Sequence, residues 1–371
     1  MTVIRGGGPV VMAWSAVSPF GIGADPFGSG VRAGVPAQAG PGAGGGLVRS
    51  VPDFDARALL GRKGTRSMDR VTALAVTAVG RLLGPDAWRP PAPGGPVALV
   101  LGTTMGSARS TMDFTRDSIT GDRPHLVDPA RFPNTVMNCA AGLSAIRYGL
   151  KGPNATVAGG RAAGLLALNY ARRLQRGGRA HTVLCGGAEE YSAARGWLRR
   201  HALGPDGDGT PAGEGCAVLH LEPSHAPEAG EHGLAEVAAL EFGVAAGPGE
   251  VRSVLASCLR RALASGPFAP SDVWAAATGG PAEAGDPERA AVADVLGRTP
   301  PVRISCADLV GDTSAAAATL QIAAVLSTAR RTPAAVGRTA LVTSADRDGT
   351  VGCALLRLLP GAVRGWGVSS K

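Results

Sequence analysis

The stretch Thr156-Val157-Ala158-Gly159-Gly160-Arg161-Ala162-Ala163-Gly164-Leu165 carries a short β-favouring run through paired glycines into a helix of small residues. Val and Thr suit a pleated strand, glycine permits the tight turn, and Ala and Leu propagate the helix. A second such turn, Val310-Gly311-Asp312-Thr313-Ser314-Ala315, opens the low-polarity stretch Ser314–Ala329. In each half an amphipathic helix and a strand precede the turn, so the chain reads as a weak internal repeat. The acidic linker Pro223-Ser224-His225-Ala226-Pro227-Glu228-Ala229-Gly230-Glu231 separates the halves, giving 1–222 and 223–371.

Working outward, short apolar runs alternate with longer amphipathic ones. Strands are expected at Pro96–Leu101, Thr182–Cys185, Cys216–Leu221, Val302–Cys306 and Thr339–Thr343, and helices at Met68–Leu83, Ala162–Arg173, Val251–Ala264, Glu288–Leu296 and Ser314–Ala329. This alternation predicts an α/β layered fold. A chain of 371 residues needs one large domain or two intimately packed ones. Aromatics make up 4% of it, so the core must be built from Ala, Val and Leu. The Gly-rich stretch Pro41–Gly46 is the best candidate for a mobile loop.

The net charge is +8, almost all of it from Arg, since Lys63, Lys151 and Lys371 are the only lysines. That favours acidic partners. No basic block is interleaved with aromatics, which argues against nucleic acid. The pairs Arg172-Arg173, Arg199-Arg200, Arg260-Arg261 and Arg330-Arg331 read as solvated helix ends near the negative pole of the dipole. Cys139, Cys185, Cys216, Cys258, Cys306 and Cys353 lie far apart, with no metal-ligand spacing, and suggest free thiols in the reducing cytoplasm. Ala315–Leu326 falls short of the ~20 residues of a membrane span, and the N-terminus lacks the pattern of a signal peptide. Neither a cofactor nor a metal is expected. Gly102-Thr103-Thr104-Met105-Gly106 lacks the third glycine of a dinucleotide loop. Residues His125, His181, His201, His220, His225 and His232 are scattered without triad spacing, and Gly187-Ala188-Glu189-Glu190 reads as a structural turn.

Several stretches together resemble the β-ketoacyl synthase family of thiolase-fold condensing enzymes. They are Ala16-Val17-Ser18-Pro19-Phe20-Gly21-Ile22-Gly23, Leu60–Arg66 with Met68-Asp69-Arg70, Phe132-Pro133-Asn134-Thr135, Ala140-Ala141-Gly142, Gly152-Pro153-Asn154, Gly213-Glu214-Gly215 and Asp286-Pro287-Glu288. In this order they cover nearly the whole chain. The resemblance implies a thiolase-like fold of two related halves in an α-β-α-β-α layered arrangement.

The family's chemistry needs a Cys at the N-terminus of a buried helix, where unpaired N–H groups and the dipole favour the thiolate. Two His, or a His and an Asn, stabilise the enolate oxygen, and a Lys supports the second site. Carried over residue by residue, Arg161 stands at the Cys position, Thr278 at the first His, Asp312 at the second His and Ala307 at the Lys. Ser344–Thr350, with Asp346, Arg347, Asp348 and Gly349, matches the gating loop without its aromatics. A shifted register rescues nothing. No Cys lies between Cys139 and Cys185, no His follows His232, and no Lys lies between Lys151 and Lys371.

A guanidinium at a helix N-terminus also calls for an anion. Asp312 is one candidate, with Asp346, Asp348, a backbone carbonyl or a partner chain left open. Cys139 reads as a packed small residue, not a reactive thiol.

Within the family the sequence resembles the chain-length factors of bacterial type II polyketide synthases, which have this frame without the Cys. The resemblance implies a heterodimer with an active ketosynthase, a shared tunnel for the growing chain, and an acyl carrier protein docking mainly on the ketosynthase. Ala108, Thr111, Met112 and Thr115 are the expected tunnel-side residues, and their modest size implies a long or wide tunnel. Arg161 departs from the Gln common in such factors. Two other readings remain: a homodimeric relative with its own acyl hydrolase or acyl transfer activity, and an acyl-binding scaffold.

Overall fold

The computed structural model describes residues 7–43, 46–84, 95–204, 209–280, 286–297, 300 and 302–363. Its main strands are β1 (Val10–Ser18), β2 (Ala98–Thr103), β3 (Asn154–Ala158), β4 (Val183–Glu189) and β5 (Gly215–Glu222), then β6 (Ala235–Val244), β7 (Val273–Thr278), β8 (Val302–Ser305), β9 (Thr339–Ala345) and β10 (Thr350–Leu358). They follow the order β8-β7-β9-β10-β6-β1-β5-β4-β2-β3, with the short strand Gly21–Ile22 pairing beside β1. Adding five to each member of β3-β2-β4-β5-β1 reproduces the other half. In both halves the fifth strand runs antiparallel to its neighbours and the others pair in parallel. The halves join where β1 meets β6, at Val10–Glu236 and Val11–Ala235. The weak repeat seen in the sequence is thus a duplicated topology.

The main helices are α1 (Ala24–Ala33), α2 (Arg70–Leu82), α3 (Ala108–Thr120), α4 (Cys139–Tyr148), α5 (Ala163–Arg176), α6 (Ala193–Leu203), α7 (Val251–Ala264), α8 (Pro287–Leu296), α9 (Cys306–Val310) and α10 (Ala317–Ala329). Helices α5 and α10 lie between the two half-sheets and share one core with both. Helices α2 and α4 cover the outer face of the first half and α7 and α8 that of the second, each over its own apolar cluster. The layers therefore run α-β-α-β-α. Helix α10 explains the centre: it carries no charge and buries every residue except Thr328, as a helix enclosed on all sides must. Full burial of Leu320, Ile322 and Val325 stabilises the fold by roughly 1.5–3 kcal/mol each. The centre closes because its contacts are small, a Cβ on Gly164 falling only 3.2 Å from that of Ala318.

All the expected strands and helices are present, with ends shifted by a few residues. Five strands outside those expected runs, β1, β3, β6, β7 and β10, complete the sheet. The Ser314–Ala329 helix opens as a 3-10 turn over Ser314–Ala316. Gly187-Ala188-Glu189-Glu190 is not a turn, because β4 runs through Glu189 and both glutamates are buried. The Pro41–Gly46 stretch is tied down by Gly42 N–H to the Gly46 carbonyl at 2.7 Å and Ala43 N–H to the Tyr191 hydroxyl at 2.6 Å, with residues 44–45 outside the described set. Five of the six cysteines are buried free thiols and Cys139 is half-buried. Among the described residues no helix is long and apolar enough to cross a membrane.

Candidate functional site

Each of the two duplicated turns begins with a residue in left-handed backbone geometry. Gly160 (φ 50°) precedes Arg161 and α5, and Ser314 (φ 42°) precedes Ala315 and α10. Glycine suits this position, since its φ lies in the left-handed region and a Cβ there would displace the Asp346 carboxylate. Ser314 tolerates the strain that glycine would avoid. Ser314→Ala and Ser314→Gly both remove its hydroxyl, which lies 3.0 Å from that of Thr104. The glycine variant should be the more stable by about 1 kcal/mol in urea denaturation. Equal stabilities would mean that the turn stores no strain.

Arg161 points its guanidinium at Asp312, with Nε 3.3 Å from Oδ1 and Nη2 2.8 Å from Oδ2. Its backbone N–H donates to the Asp346 carboxylate. Of the anions left open by the sequence, Asp312 takes the side chain and Asp346 the amide. The pair is nearly enclosed, the Arg161 side chain being 15% and that of Asp312 10% exposed. Two further arginines reach in from α6. Arg199 places Nε 3.5 Å from Asp312 Oδ2, and Arg195 pairs with the buried Glu189. Arg199 is therefore no solvated helix end, which corrects the sequence expectation for the Arg199-Arg200 pair. Burial alone would push the Asp312 carboxyl up. Arg161, with Arg195 and Arg199 behind it, outweighs burial and holds it well below the usual carboxylate range. Burial pushes Glu189 up against the pull of Arg195.

This constellation does not support nucleophilic chemistry. A guanidinium stays protonated, and Asp312, ionised and held by arginine, is a weak base. Thr104 donates to Glu189, whose carboxylate already serves Arg195 and the Ala315 amide, so neither neighbouring hydroxyl is activated.

The other carried-over positions lie around this pair. Thr278 ends β7, and beside it Gly279 N–H donates to Glu288 at 2.8 Å. Glu288 also receives the Thr343 hydroxyl at 2.9 Å and the Ala345 N–H at 2.7 Å, bracing the ends of β7 and β9. Ala307 is buried in α9, its carbonyl accepting from Arg49 at 3.4 Å. Asp346, Arg347, Asp348 and Gly349 form the turn between β9 and β10, closed by Asp346 N–H to the Thr350 carbonyl at 2.8 Å.

The match to known proteins then decides the family. Residues 31–226 fit the model described as β-ketoacyl synthase, N-terminal domain. The chain belongs to the β-ketoacyl synthase family. Two curated relatives are both named 3-oxoacyl-[acyl-carrier-protein] synthase 2. That of Synechocystis sp. (strain ATCC 27184 / PCC 6803 / Kazusa) is 32% identical over 200 residues, covering 46% of this chain and 45% of the relative. That of Rhizobium meliloti (strain 1021) is 26% identical over 205 residues, covering 50% of this chain and 48% of the relative. The chain thus spans about half the length of the curated relatives it matches. Among solved structures, "The ishigamide ketosynthase/chain length factor" is 43% identical, covering 95% of this chain and 100% of that one, with a TM-score of 0.83. A β-ketoacyl synthase from Burkholderia phymatum STM815 shares the fold at 21% identity and a TM-score of 0.79, covering 95% of this chain and 100% of that one.

In this ketosynthase-family chain, the expected tunnel residues form a second group, on α3. Ala108 is buried at 2% exposure, Thr111 is half-buried, and Met112 and Thr115 are exposed. Met112 and Ile119 lie exposed on α3, with Met105 just before the helix and Phe132, Val136 and Met137 also exposed. Gly106 approaches Met137, and Phe114 meets Phe132 edge-on at 6.0 Å, so the patch is continuous. Cys139, the first residue of α4, has its thiol pushed up by burial and by Asp69, the opposite of an activated sulfur.

One polar cluster escaped the sequence reading. His220 Nε2 lies 2.8 Å and His181 Nδ1 2.9 Å from Glu222, and His225 packs edge-on against His181. The His220–Glu222 spacing on a strand puts both on one face and could have shown half of it. Among the described residues no group of three or more His, Cys, Asp or Glu could hold a metal.

Proposed function

We propose that this chain is the non-catalytic, chain-length-factor type of subunit in a type II polyketide synthase, working as a heterodimer with an active ketosynthase. The observation that carries the reading is the Arg161–Asp312 ion pair, at the positions that the resemblance assigns to the family's nucleophile and second histidine. The 43% identity to a structure titled as a ketosynthase/chain length factor supports it.

The two sheet edges favour one side for the partner. The far edge, β8, follows Pro300-Pro301 and carries the exposed Arg303, devices that discourage edge pairing. The near edge, β3, reads Asn154-Ala155-Thr156-Val157-Ala158 without a charge, beside the apolar patch of α3 and α4. A ketosynthase packed there covers both, and the chain grows along α3 between the subunits. The acyl carrier protein docks mainly on the ketosynthase, and the buried free thiols suit the cytoplasm.

Co-expression with the neighbouring ketosynthase, followed by size-exclusion chromatography and product analysis, tests this. Met112→Trp and Thr115→Phe should leave a 1:1 complex and shorten the product by at least one extension unit. Ala108 is unsuited to enlargement because its surroundings are already packed. No complex, or unchanged products, would overturn the chain-length role. Turnover of an acyl thioester by the lone chain would favour a homodimeric enzyme instead.

A further inference from the structure

A cleft opens on the apolar face between the ends of β2 and β3 and the starts of α2 and α4. Asp69, Thr72, Thr103, Cys139 and Thr156 line it, with Met137 at the rim. The whole cleft holds about 10 Å³, room for one group the size of a water molecule. Asp69 Oδ1 caps α2 by accepting from Thr72 N–H at 2.8 Å, but Oδ2 is buried without a hydrogen bond. The Thr72 hydroxyl, on a residue with no exposed surface, makes only long contacts to Asp69 and Cys139, and the Thr156 hydroxyl is unpartnered.

Near Asp69 lies a buried acid, Glu190. Burial pushes both carboxyls up, and Asp69 adds to the rise at Glu190. The adjacent cation, Arg70, is turned to Glu214 through Nε at 2.7 Å. A carboxylate oxygen and two hydroxyls that lack a close hydrogen bond, deep in a narrow cleft, are costly unless answered.

We propose that the partner subunit inserts a lysine side chain into this cleft, its ammonium pairing with Asp69 and donating to Thr72 and Thr156. The inference rests on the reading that a condensing subunit covers this face. An ammonium offers three donors for three acceptors and is about the size of the space, whereas a planar guanidinium is larger. Thr156 belongs to the uncharged edge strand, so the cleft lies where that subunit would pack.

The dissociation constant of the co-expressed heterodimer provides the test. Asp69→Asn keeps the volume and the helix cap and should weaken the complex at least tenfold. Thr72→Val and Thr156→Val should weaken it several-fold each while leaving the melting temperature of the free subunit close to wild type. A Lys→Met scan of the ketosynthase face should find one lysine whose effect disappears in the Asp69→Asn background. If Asp69→Asn binds as tightly as wild type or tighter, the cleft holds only water or an apolar group and the inference falls. If Asp69→Asn does not fold, unchanged binding by both valine variants overturns it equally. Failure of the wild-type chain to form a heterodimer would instead remove the functional reading beneath it.

Discussion

Asp312→Ala is expected to lower the unfolding free energy by about 3–5 kcal/mol, the range for breaking a buried ion pair from one side. The loss is large because Asp312 answers more than one cation. Arg161 holds both its oxygens, Arg199 approaches to 3.5 Å, and Ser314 N–H donates to Oδ1 at 3.0 Å. With the carboxylate gone, guanidinium groups face one another at the foot of the central helices. Arg161→Met alone should cost less, because Arg199 remains beside Asp312. Arg161→Met with Asp312→Asn should recover most of the stability, so urea denaturation of the four proteins should give a coupling energy of about 2 kcal/mol. Additive effects would mean that the pair is not an energetic unit. The pH dependence follows from the depressed carboxyl. The stabilisation is complete above the ordinary carboxylate value near 4 and is lost progressively as pH falls below it. Asp312→Asn should therefore unfold with a shallower acid limb than wild type.

That pair was legible as one candidate because both members sit on the repeated turns at Ala158–Gly164 and Val310–Ala315, which the family resemblance brings together. What stood around it was not. Arg195 and Arg199 come from α6, whose arginine-rich pattern is also that of a solvated helix, and only the tertiary approach of α6 turns them inward. Glu189 and Glu190 show the same limit. Consecutive residues at a strand end point to opposite faces. Glu189 therefore meets Thr104, Arg195 and Ala315 in the central layer, while Glu190 meets Ser107, Arg109 and Val71 in the outer one. Strands β6, β7 and β10 were hidden for another reason. Segments such as Val273-Trp274-Ala275-Ala276-Ala277-Thr278 are buried on both faces and Ala-rich, so they lack alternation and carry little β propensity. Their pairing partners lie far along the chain. The layered class survived these omissions because the five recognised strands fall in both halves.

The duplicated topology also gives the ion pair its mechanical sense. In each half the turn before the central helix points the start of that helix at the other half, so residues at the two turns necessarily meet. A family that needs a thiol on one turn and an imidazole on the other uses this meeting for catalysis. Here Arg161 and Asp312 use it to join the halves. The same geometry that would assemble an active site serves here as a clasp.

Glu190→Gln should flatten the stability of the free subunit between pH 4.5 and 7, the second large effect expected. Glu190 is buried at the ends of α2 and α3. It accepts from Val71 N–H at 3.2 Å, from Arg109 N–H at 3.3 Å and from the Ser107 hydroxyl at 3.1 Å. Asp69 faces it, and the Arg70 charge is felt there although its side chain serves Glu214. Burial first, and Asp69 second, push Glu190 from 4.5 up to about 7. A raised acid contributes its full stability below the unfolded value and loses it as pH rises through the folded one. Wild type should therefore lose about 3 kcal/mol across this window, at about 1.4 kcal/mol per pH unit, and level off above it. The glutamine variant gives up one acceptor at the start of α2, so it should be the less stable protein at pH 5 and equal or better at pH 8. Urea denaturation at four pH values distinguishes this from parallel curves, which would mean that Glu190 does not titrate here. An ammonium delivered to Asp69 by the partner would lower Glu190 as well. The wild-type slope should then shrink in the heterodimer, and it should do so less in Asp69→Asn.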